Sequence, residues 1–383
     1  MAIRGLWNME TAFDAIIVGA GPAGCAAAYD LASAGRKILL LDKCEFPRLK
    51  PCAGALTTKT INALPFDVTP VVRRVCTEMK LSLGGSSKTF GNHQPIAAMT
   101  VRQEFDQFFL NKCISRGVEF KAGHRLTGLS RNSNGWIAAT SGESFRGKFL
   151  IGADGANSQV RKLLLKSHPI RCGLGLETCV PADGRGEAVM EFDFGAVDRG
   201  YGWIFPKNDH LNVGLYSLNA TIPHAATKLA DFVAAKTGRK ISGAIHGHKI
   251  PHNGRRLRRS WSDACLIGDA AGLIDPFLGE GIYHAIRSGQ LAAGAIVKAG
   301  GAREADFAGS LSEIALDLAS YDSETRRFYS DIQRGYRRLT RTPLGNLLVK
   351  GFSLGWTVRR IKRGIFLLPF VQSARKNERC NSA

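Results

Sequence analysis

The stretch from Phe13 to Asp42, FDAIIVGAGPAGCAAAYDLASAGRKILLLD, restricts more than any other what this chain can become. A short, largely apolar run, Asp14 to Val18, ends at Gly19, and Gly19-x-Gly21-x-x-Gly24 follows at once, so the glycines stand where a strand turns into a helix. Gly19 permits the tight turn, Gly21 lets a pyrophosphate reach the backbone, and Gly24 lets the helix lie close to the sheet. The start of the helix adds N–H donors without intrahelical partners, suited to phosphate oxygens. The spacing predicts a helix from about Pro22 to Ala34 that stops at Gly35. A second apolar run, Ile38 to Leu41, ends in Asp42, about 20 positions beyond the glycines and placed to accept from an adenosine ribose. A glycine-rich turn alone says little, but with strand, helix stop and acid in register the stretch reads as a dinucleotide site.

Four further stretches bear on function. After Asp42 comes KCEFPRLKPCAGAL, residues 43 to 56, whose prolines break any helix; such a loop crosses the upper edge of the sheet, where Arg48 and Lys50 face either an anion or solvent. A helix is expected over 101 to 117, and because a cation at a helix start opposes the dipole, Arg102 there points to a nearby anion. KFLIGADGANSQVRKLL, 148 to 164, reads as a buried strand, a turn and a helix near Val160; Asp154 either accepts from a ligand hydroxyl or caps the turn. In DACLIGDAAGLIDPFLGEGIYHAIRSG, beginning at residue 263, a strand at Ala264 to Ile267 leads to a turn at Gly268-Asp269, and a long helix starts near Ile282. Asp269 can hold a ribityl hydroxyl there, and the Gly279 to Ile282 amides can stabilise negative charge on a ring such as reduced flavin.

Elsewhere the pattern is β-like. Residues 75 to 99 and 118 to 149 read as strands, and an Ala-rich piece near His224 to Lys236 reads as a helix. In RGYGWIFPKNDHLNVGLYS, 199 to 217, Tyr201, Trp203 and Phe205 alternate onto one face of a hairpin that turns at Lys207-Asn208-Asp209. A stripe of this kind is most often ordinary core.

At 383 residues and 44% hydrophobic content the chain can bury a large core, in two intertwined domains. Its nine cysteines are odd in number and hold no CxxC or CxxxC pair, which argues against a disulfide scaffold or a structural zinc site and fits a reducing compartment. No metal site is expected. The formal charge of +20 is concentrated at the end: from Arg326 onward, Lys and Arg number 14 against two acids. GNLLVKGFSLGWTVRRIKRGIFLLPFVQ, 345 to 372, has the composition of a segment lying in a membrane interface with its cations at anionic head groups, or else of a helical tail with a solvated basic face. No nucleic-acid motif accompanies the charge. No run is long enough to span a bilayer, and the N-terminal apolar stretch is the nucleotide strand and helix, not a signal peptide.

Taken together, GxGxxG with Asp42, Arg102 in RxxFD, GADGANSxVR and GDAAGxxDPxxGEGI resemble the flavoprotein superfamily of aromatic hydroxylases. Within it the chain is most similar to the geranylgeranyl reductase family, from about Phe13 to Gly300. The narrower evidence is KPCAGAL at Lys50 to Leu56, Tyr201-x-Trp203-x-Phe205-Pro206-Lys207 followed by Asn212-Val213-Gly214, and GEGI with its following Ala and Ser-Gly. The loop reads PCAG where the family's usually reads PCGG.

The resemblance implies an α/β fold: a Rossmann-like FAD-binding domain (about 1–70, 100–165 and 255–325) interleaved with a mainly antiparallel-sheet substrate domain (71–99 and 166–254), followed by a basic helical C-terminal region (326–383). FAD would be extended, its ADP part on Gly19, Gly21, Gly24 and Asp42, its diphosphate met by Arg102 and its ribityl chain by Asp269. The ring would lie against Pro276 and Gly279 to Ile282, with Gly281 among them. Pro22, Ala23, Lys43, Cys52, Ala53, Asp154 and Gly268 belong to the same cofactor set. Reduced flavin would deliver a hydride to one alkene carbon of an isoprenoid chain while a proton reaches the other. Cys52, Tyr201 and Trp203 are the candidate catalytic groups, with the aromatic hairpin lining the substrate cavity. NADPH or a reduced carrier protein is the expected electron donor, a prenyl lipid or prenyl diphosphate the substrate, and the cytoplasmic face of a membrane the expected location, held peripherally.

Other readings make different demands. Hydroxylases of this superfamily usually carry a histidine after GDAA, where this chain has Gly272, and YGWIFP only partly resembles the WxWxIP of flavin halogenases. A dehydrogenase passing electrons from flavoprotein to quinone needs a cysteine cluster for iron–sulfur, which the scattered cysteines do not provide. A non-catalytic flavin-binding or lipid-carrier protein would show no turnover with any prenyl lipid.

Overall fold

The computed structural model describes residues 13–300, apart from 84, 92–93, 167–169, 183–185, 187 and 253–256, together with residue 309. The basic region 326–383 and the extension Met1 to Ala12 lie outside the described residues.

The dinucleotide stretch folds as its pattern requires. Strand Phe13–Val18 sits between Ile38–Leu41 and Ser144–Gly152, parallel to both, with Ile17 level with Leu40 and Ile151. Glu119–Lys121 continues the parallel set on one side and Ala264–Leu266 on the other. The antiparallel hairpin of Leu126–Asn132 and Gly135–Thr140 completes a seven-stranded sheet. Alternation along Phe13–Val18 feeds two cores: Ala15 and Ile17 pack under the helices, whereas Phe13, Ile16 and Val18 join Trp136, Leu150 and Leu273 on the opposite face. A parallel strand covered on both faces has to be apolar throughout, which is why this run reads as continuous rather than alternating.

Helix Pro22–Ser33 returns across the first face and stops at Gly35, whose φ of +73° suits the left-handed C-terminal position. Against it lie Arg102–Ile114 and the long helix Ile282–Lys298. The last contact is backbone-close: a Cβ on Gly289 would lie 2.4 Å from the carbonyl oxygen of Ala23.

The second sheet also has seven strands, in the order His246–Pro251, Cys172–Pro181, His210–Ser217, Gly200–Pro206, Val189–Asp193, Glu78–Leu83 and Ser86–Gly91. All its pairings are antiparallel except that of Val189–Asp193 with Glu78–Leu83. One face is covered by helix Ala225–Thr237 through Leu229, Phe232 and Val233. The other carries Tyr201, Trp203, Phe205 and Tyr216 and turns toward the loops of the first sheet. A small three-stranded sheet of Ala55–Thr57, Ala97–Met99 and Arg74–Cys76 joins the two cores, with Leu56 in one and Cys76 and Met99 in the other.

Candidate functional site

The glycine turn is closed by backbone contacts that admit no side chain at two positions. Gly19, at φ +109°, would put a Cβ 2.4 Å from the carbonyl oxygen of Ala153, and a Cβ on Gly24 would come within 1.9 Å of the Gly19 oxygen. Gly21 is different. A Cβ there would meet only Arg48 Nη2, at 3.5 Å, so this glycine borders open space. It is also the N-cap of Pro22–Ser33, which has no side-chain cap, leaving the first amides, Ala23 among them, to a ligand. A dinucleotide phosphate fits this cradle: uncapped amides, an arginine beside them and no Cβ in the way.

Asp42, at the end of Ile38–Leu41, accepts from Ala20 N–H at 2.8 Å through Oδ2 and from Cys44 N–H at 2.9 Å through Oδ1. The acid therefore ties the glycine turn to the following loop, and each oxygen keeps a second lone pair for a ribose hydroxyl. Lys43, next in sequence, is exposed. The anion anticipated near Arg102 is a carboxylate of its own helix. Asp106 accepts from Arg102 Nε at 2.8 Å and Nη2 at 2.9 Å, and Arg48 reaches the same Asp106 at 3.1 Å. Burial opposes the charge on Arg102, but Asp106 outweighs it and raises the guanidinium above its ordinary value.

Asp154 caps its own turn: Oδ2 accepts from Gln159 N–H at 2.6 Å and Val160 N–H at 3.0 Å. Gly268 and Asp269 open a short 3₁₀ helix, Gly268–Ala271, in place of a simple turn. Gly268 has φ +54°, its N–H donates to Ser288 Oγ at 3.0 Å, and a Cβ there would meet Ala23 Cβ at 2.9 Å. Asp269 faces His248 of the second sheet at 3.9 Å, and the His248 ring contacts the Lys50 ammonium. Burial lowers Lys50 to about 8 and pushes His248 down, while Asp269 is held low because His248 and Lys50 outweigh its own burial. The three join the 43–56 loop, the second sheet and the 3₁₀ turn.

The segment Asp275 to Ile282 is a rigid corner. Asp275 Oδ1 accepts from Phe277 N–H at 2.7 Å, and Gly279 N–H, at a residue with φ +64°, donates to the Asp275 carbonyl at 2.8 Å. Gly281 is the N-cap of Ile282–Lys298, again without a side-chain cap. Glu280 faces inward, 3.5 Å from Lys59 and 3.3 Å from His284, and takes Tyr283 N–H at 2.7 Å. Burial works to raise its carboxyl, but Lys59 and His284 hold it at about 2.

The aromatic hairpin meets both loops. Tyr201 donates its hydroxyl proton to the carbonyl of Leu278, and Tyr216 to that of Pro276 at 2.8 Å. Trp203 Nε1–H donates to Asn212 Oδ1 at 2.7 Å. On the other loop Cys52 N–H donates to Glu177 Oε1 at 2.8 Å, and the Ala53 carbonyl accepts from Lys207 Nζ at 2.7 Å. Tyr201 and Trp203 thus share one core with Ala53, while Cys52, next to Ala53, packs on the helix side of that loop and is near enough to act electrostatically on Tyr201; Lys43 is exposed.

Sequence reasoning did not reach Glu177, Lys207, His248 or the inward turn of Glu280. Lys207 carried a signal as the lysine of the FPK step; Glu177 and His248 sit in strands whose local pattern is unremarked. All eight cysteines among the described residues are free thiols, no three His, Cys, Asp or Glu side chains among those residues gather as metal ligands, and no described helix is long and apolar enough to cross a membrane.

Comparison with known proteins bears on this geometry. Residues 12–169 match the family model described as FAD binding domain. An uncharacterized protein of Methanosarcina barkeri is 36% identical over 286 residues, covering 73% of this chain and 73% of that one. The geranylgeranyl diphosphate reductase of Rhodobacter capsulatus is 30% identical over 302 residues, 73% of this chain and 74% of the relative. Among solved structures, a geranylgeranyl bacteriochlorophyll reductase-like protein of Thermoplasma acidophilum superposes with a TM-score of 0.73 over 92% of this chain and 98% of its own, at 18% identity.

Proposed function

The chain belongs to the geranylgeranyl reductase family of FAD-binding oxidoreductases, and from that premise we propose that it reduces carbon–carbon double bonds of an isoprenoid chain. The observation that carries this reading is the closure of two loops on the aromatic face: Ala53 and Ala55, just after Cys52, pack against the core of Tyr201 and Trp203, Cys52 is near enough to act electrostatically on Tyr201, and the corner at 276–281 accepts the Tyr201 hydroxyl. The substrate is a prenyl lipid or prenyl diphosphate, bound on the unit formed by 71–99 and 166–254, with 1–70, 100–165 and 255–325 as the FAD unit.

Reduced FAD, when bound, supplies a hydride to one carbon of the double bond. Gly21 and the amides after it would receive the diphosphate, with Arg48 beside Gly21, Asp42 would receive the ribose, and Asp269 the ribityl chain. The start of Ile282–Lys298, where Glu280 takes only the Tyr283 N–H, would turn its remaining amides to negative charge developing on the ring edge. Cys52 Sγ is the candidate donor of the proton to the second alkene carbon and is refilled from solvent, since Cys52 is only half-buried. Tyr201 and Trp203, both buried, exclude water and shape the apolar wall. Gly272 has φ +68° and a Cβ there would lie 2.6 Å from the end of the Ile170 side chain, so a side chain at the position that hydroxylases usually fill with histidine would be strained here and would have to displace Ile170.

NADPH or a reduced carrier protein provides the electrons, and the basic segment 345–372 holds the enzyme to the anionic cytoplasmic face of a membrane. The deciding experiment is anaerobic. The purified protein is reduced, candidate prenyl lipids are added, and flavin reoxidation is followed beside product mass. Reoxidation matched by a gain of two hydrogens per double bond supports the reading; reduced flavin that persists with every prenyl lipid tried overturns it.

A further inference from the structure

The loop that carries Cys52 is gripped from the opposite sheet at both ends of one dipeptide. Glu177, on Cys172–Pro181, accepts the Cys52 N–H at 2.8 Å, and Lys207, just beyond Gly200–Pro206, donates to the Ala53 carbonyl at 2.7 Å. The next residue cannot give way. Gly54 has φ +69°, its carbonyl accepts from Thr100 N–H at 2.7 Å, and a Cβ on it would lie 2.0 Å from the Thr100 oxygen. Gly54 N–H in turn donates to Cys52 Sγ at 3.4 Å and Arg102 hydrogen-bonds the same sulfur, so the placement of the peptide decides whether the thiol meets both donors.

Burying an acid and an amine for this purpose is costly. Lys207 is 2% exposed, burial lowers it to about 8, and burial raises Glu177. Backbone amides need no ionised partner to be satisfied, so a charged pair spent on two adjacent peptide groups marks a constraint on geometry. Glu177 also interacts with Asn212, which accepts from Trp203 Nε1 at 2.7 Å, so the grip continues into the aromatic hairpin.

We propose that Glu177 and Lys207 are positioning residues for Cys52, so that the substrate-side sheet holds the peptide that presents the thiol to Arg102. That the thiol so placed takes part in alkene reduction rests on the function proposed above; the grip itself does not.

The test uses the full-length, FAD-loaded protein and iodoacetamide, with the label assigned by peptide mapping. Glu177→Ala and Lys207→Met release one end of the dipeptide each, and Cys52 alkylation is expected to rise about tenfold, the scale of one lost hydrogen bond to a charged group. Labelling of Cys172, on the far part of the same strand, stays unchanged, and Glu177→Gln, which keeps an acceptor oxygen in place, restores slow labelling of Cys52. Folded variants in which Cys52 labels within twofold of the parent rate, or more slowly, overturn the proposal. Hydrogen exchange of the unaltered protein tests it without substitution: the Cys52 amide should exchange as slowly as amides of the Cys172–Pro181 strand, and exchange as fast as at Glu45 or Leu49 overturns it. A rise in labelling in a protein that reduces no prenyl lipid would leave the grip standing and remove the reductase reading alone.

Discussion

A Cβ on Gly214 would lie 2.2 Å from Cζ2 of Trp203. The indole of one hairpin strand lies against the backbone of the next at its directly paired residue, the single residue type that lets it. Gly214→Ala should tilt the ring out of the aromatic face and cost about 1–3 kcal/mol by overpacking. Urea unfolding measures the cost, and a shift in tryptophan emission reports the ring; a variant with the parent's emission and stability would contradict this placement.

Gly21 and Gly24 should part company when each becomes alanine. At Gly24 the added carbon meets a carbonyl oxygen at 1.9 Å, so the apoprotein itself is destabilised. Gly21 has φ −80° and ψ −178°, allowed for any residue, and its added carbon meets only Arg48. Gly21→Ala should therefore unfold like the parent without FAD, yet bind FAD at least tenfold more weakly. Thermal unfolding of the apoprotein and a flavin titration separate the two effects.

Asp106 is the counter-charge for two arginines at once, with none of its side chain exposed. Asp106→Ala leaves the buried Arg102 without its carboxylate, with only the Cys52 sulfur beside it, and should cost about 3–5 kcal/mol, whereas an isolated surface pair would cost less than about 1. Denaturant unfolding gives the number, and a loss under 1 kcal/mol would show the arginines repairing elsewhere.

Glu280 sets an acid limb on stability. Its carboxyl is depressed from 4.5 to about 2 in the folded chain, so its contribution is complete above pH 4.5 and is lost as pH falls from 4.5 toward 2. The shift corresponds to stabilisation on the order of 3 kcal/mol. Lys59→Met removes the cation that lowers this carboxyl most and should flatten the pH dependence in that window; an unchanged slope would assign the acid limb to other carboxylates.

How much could be read in advance follows the range of the rules that apply. Strand Phe13–Val18, the helix stop at Gly35 and strand Ile38–Leu41 rest on neighbours within a few positions, and all three stand where the spacing put them. The aromatic face of the hairpin was legible for the same reason, because alternation is local. Arg102 at its helix start was read as a sign of an anion, and the anion found is Asp106, one turn on in the RxxFD pattern itself. Glu177 and Lys207 were not legible as partners of Cys52 and Ala53, since they lie 125 and 154 positions away and only strand pairing brings them there. His248 shares that obstacle with respect to Lys50, 198 positions away.

The close crossing of Gly289 over Ala23 has a consequence for biosynthesis. The alanine-lined helix that follows the nucleotide turn is made near the beginning of translation, but its covering helix, Ile282–Lys298, and the strand Ala264–Leu266 beside Ser144–Gly152 emerge last among the described elements. A nascent chain ending near residue 260 exposes that bare alanine face at the ribosome, open to chaperones, until the final segments arrive. Cofactor loading is therefore expected to wait until Ile282–Lys298 has emerged.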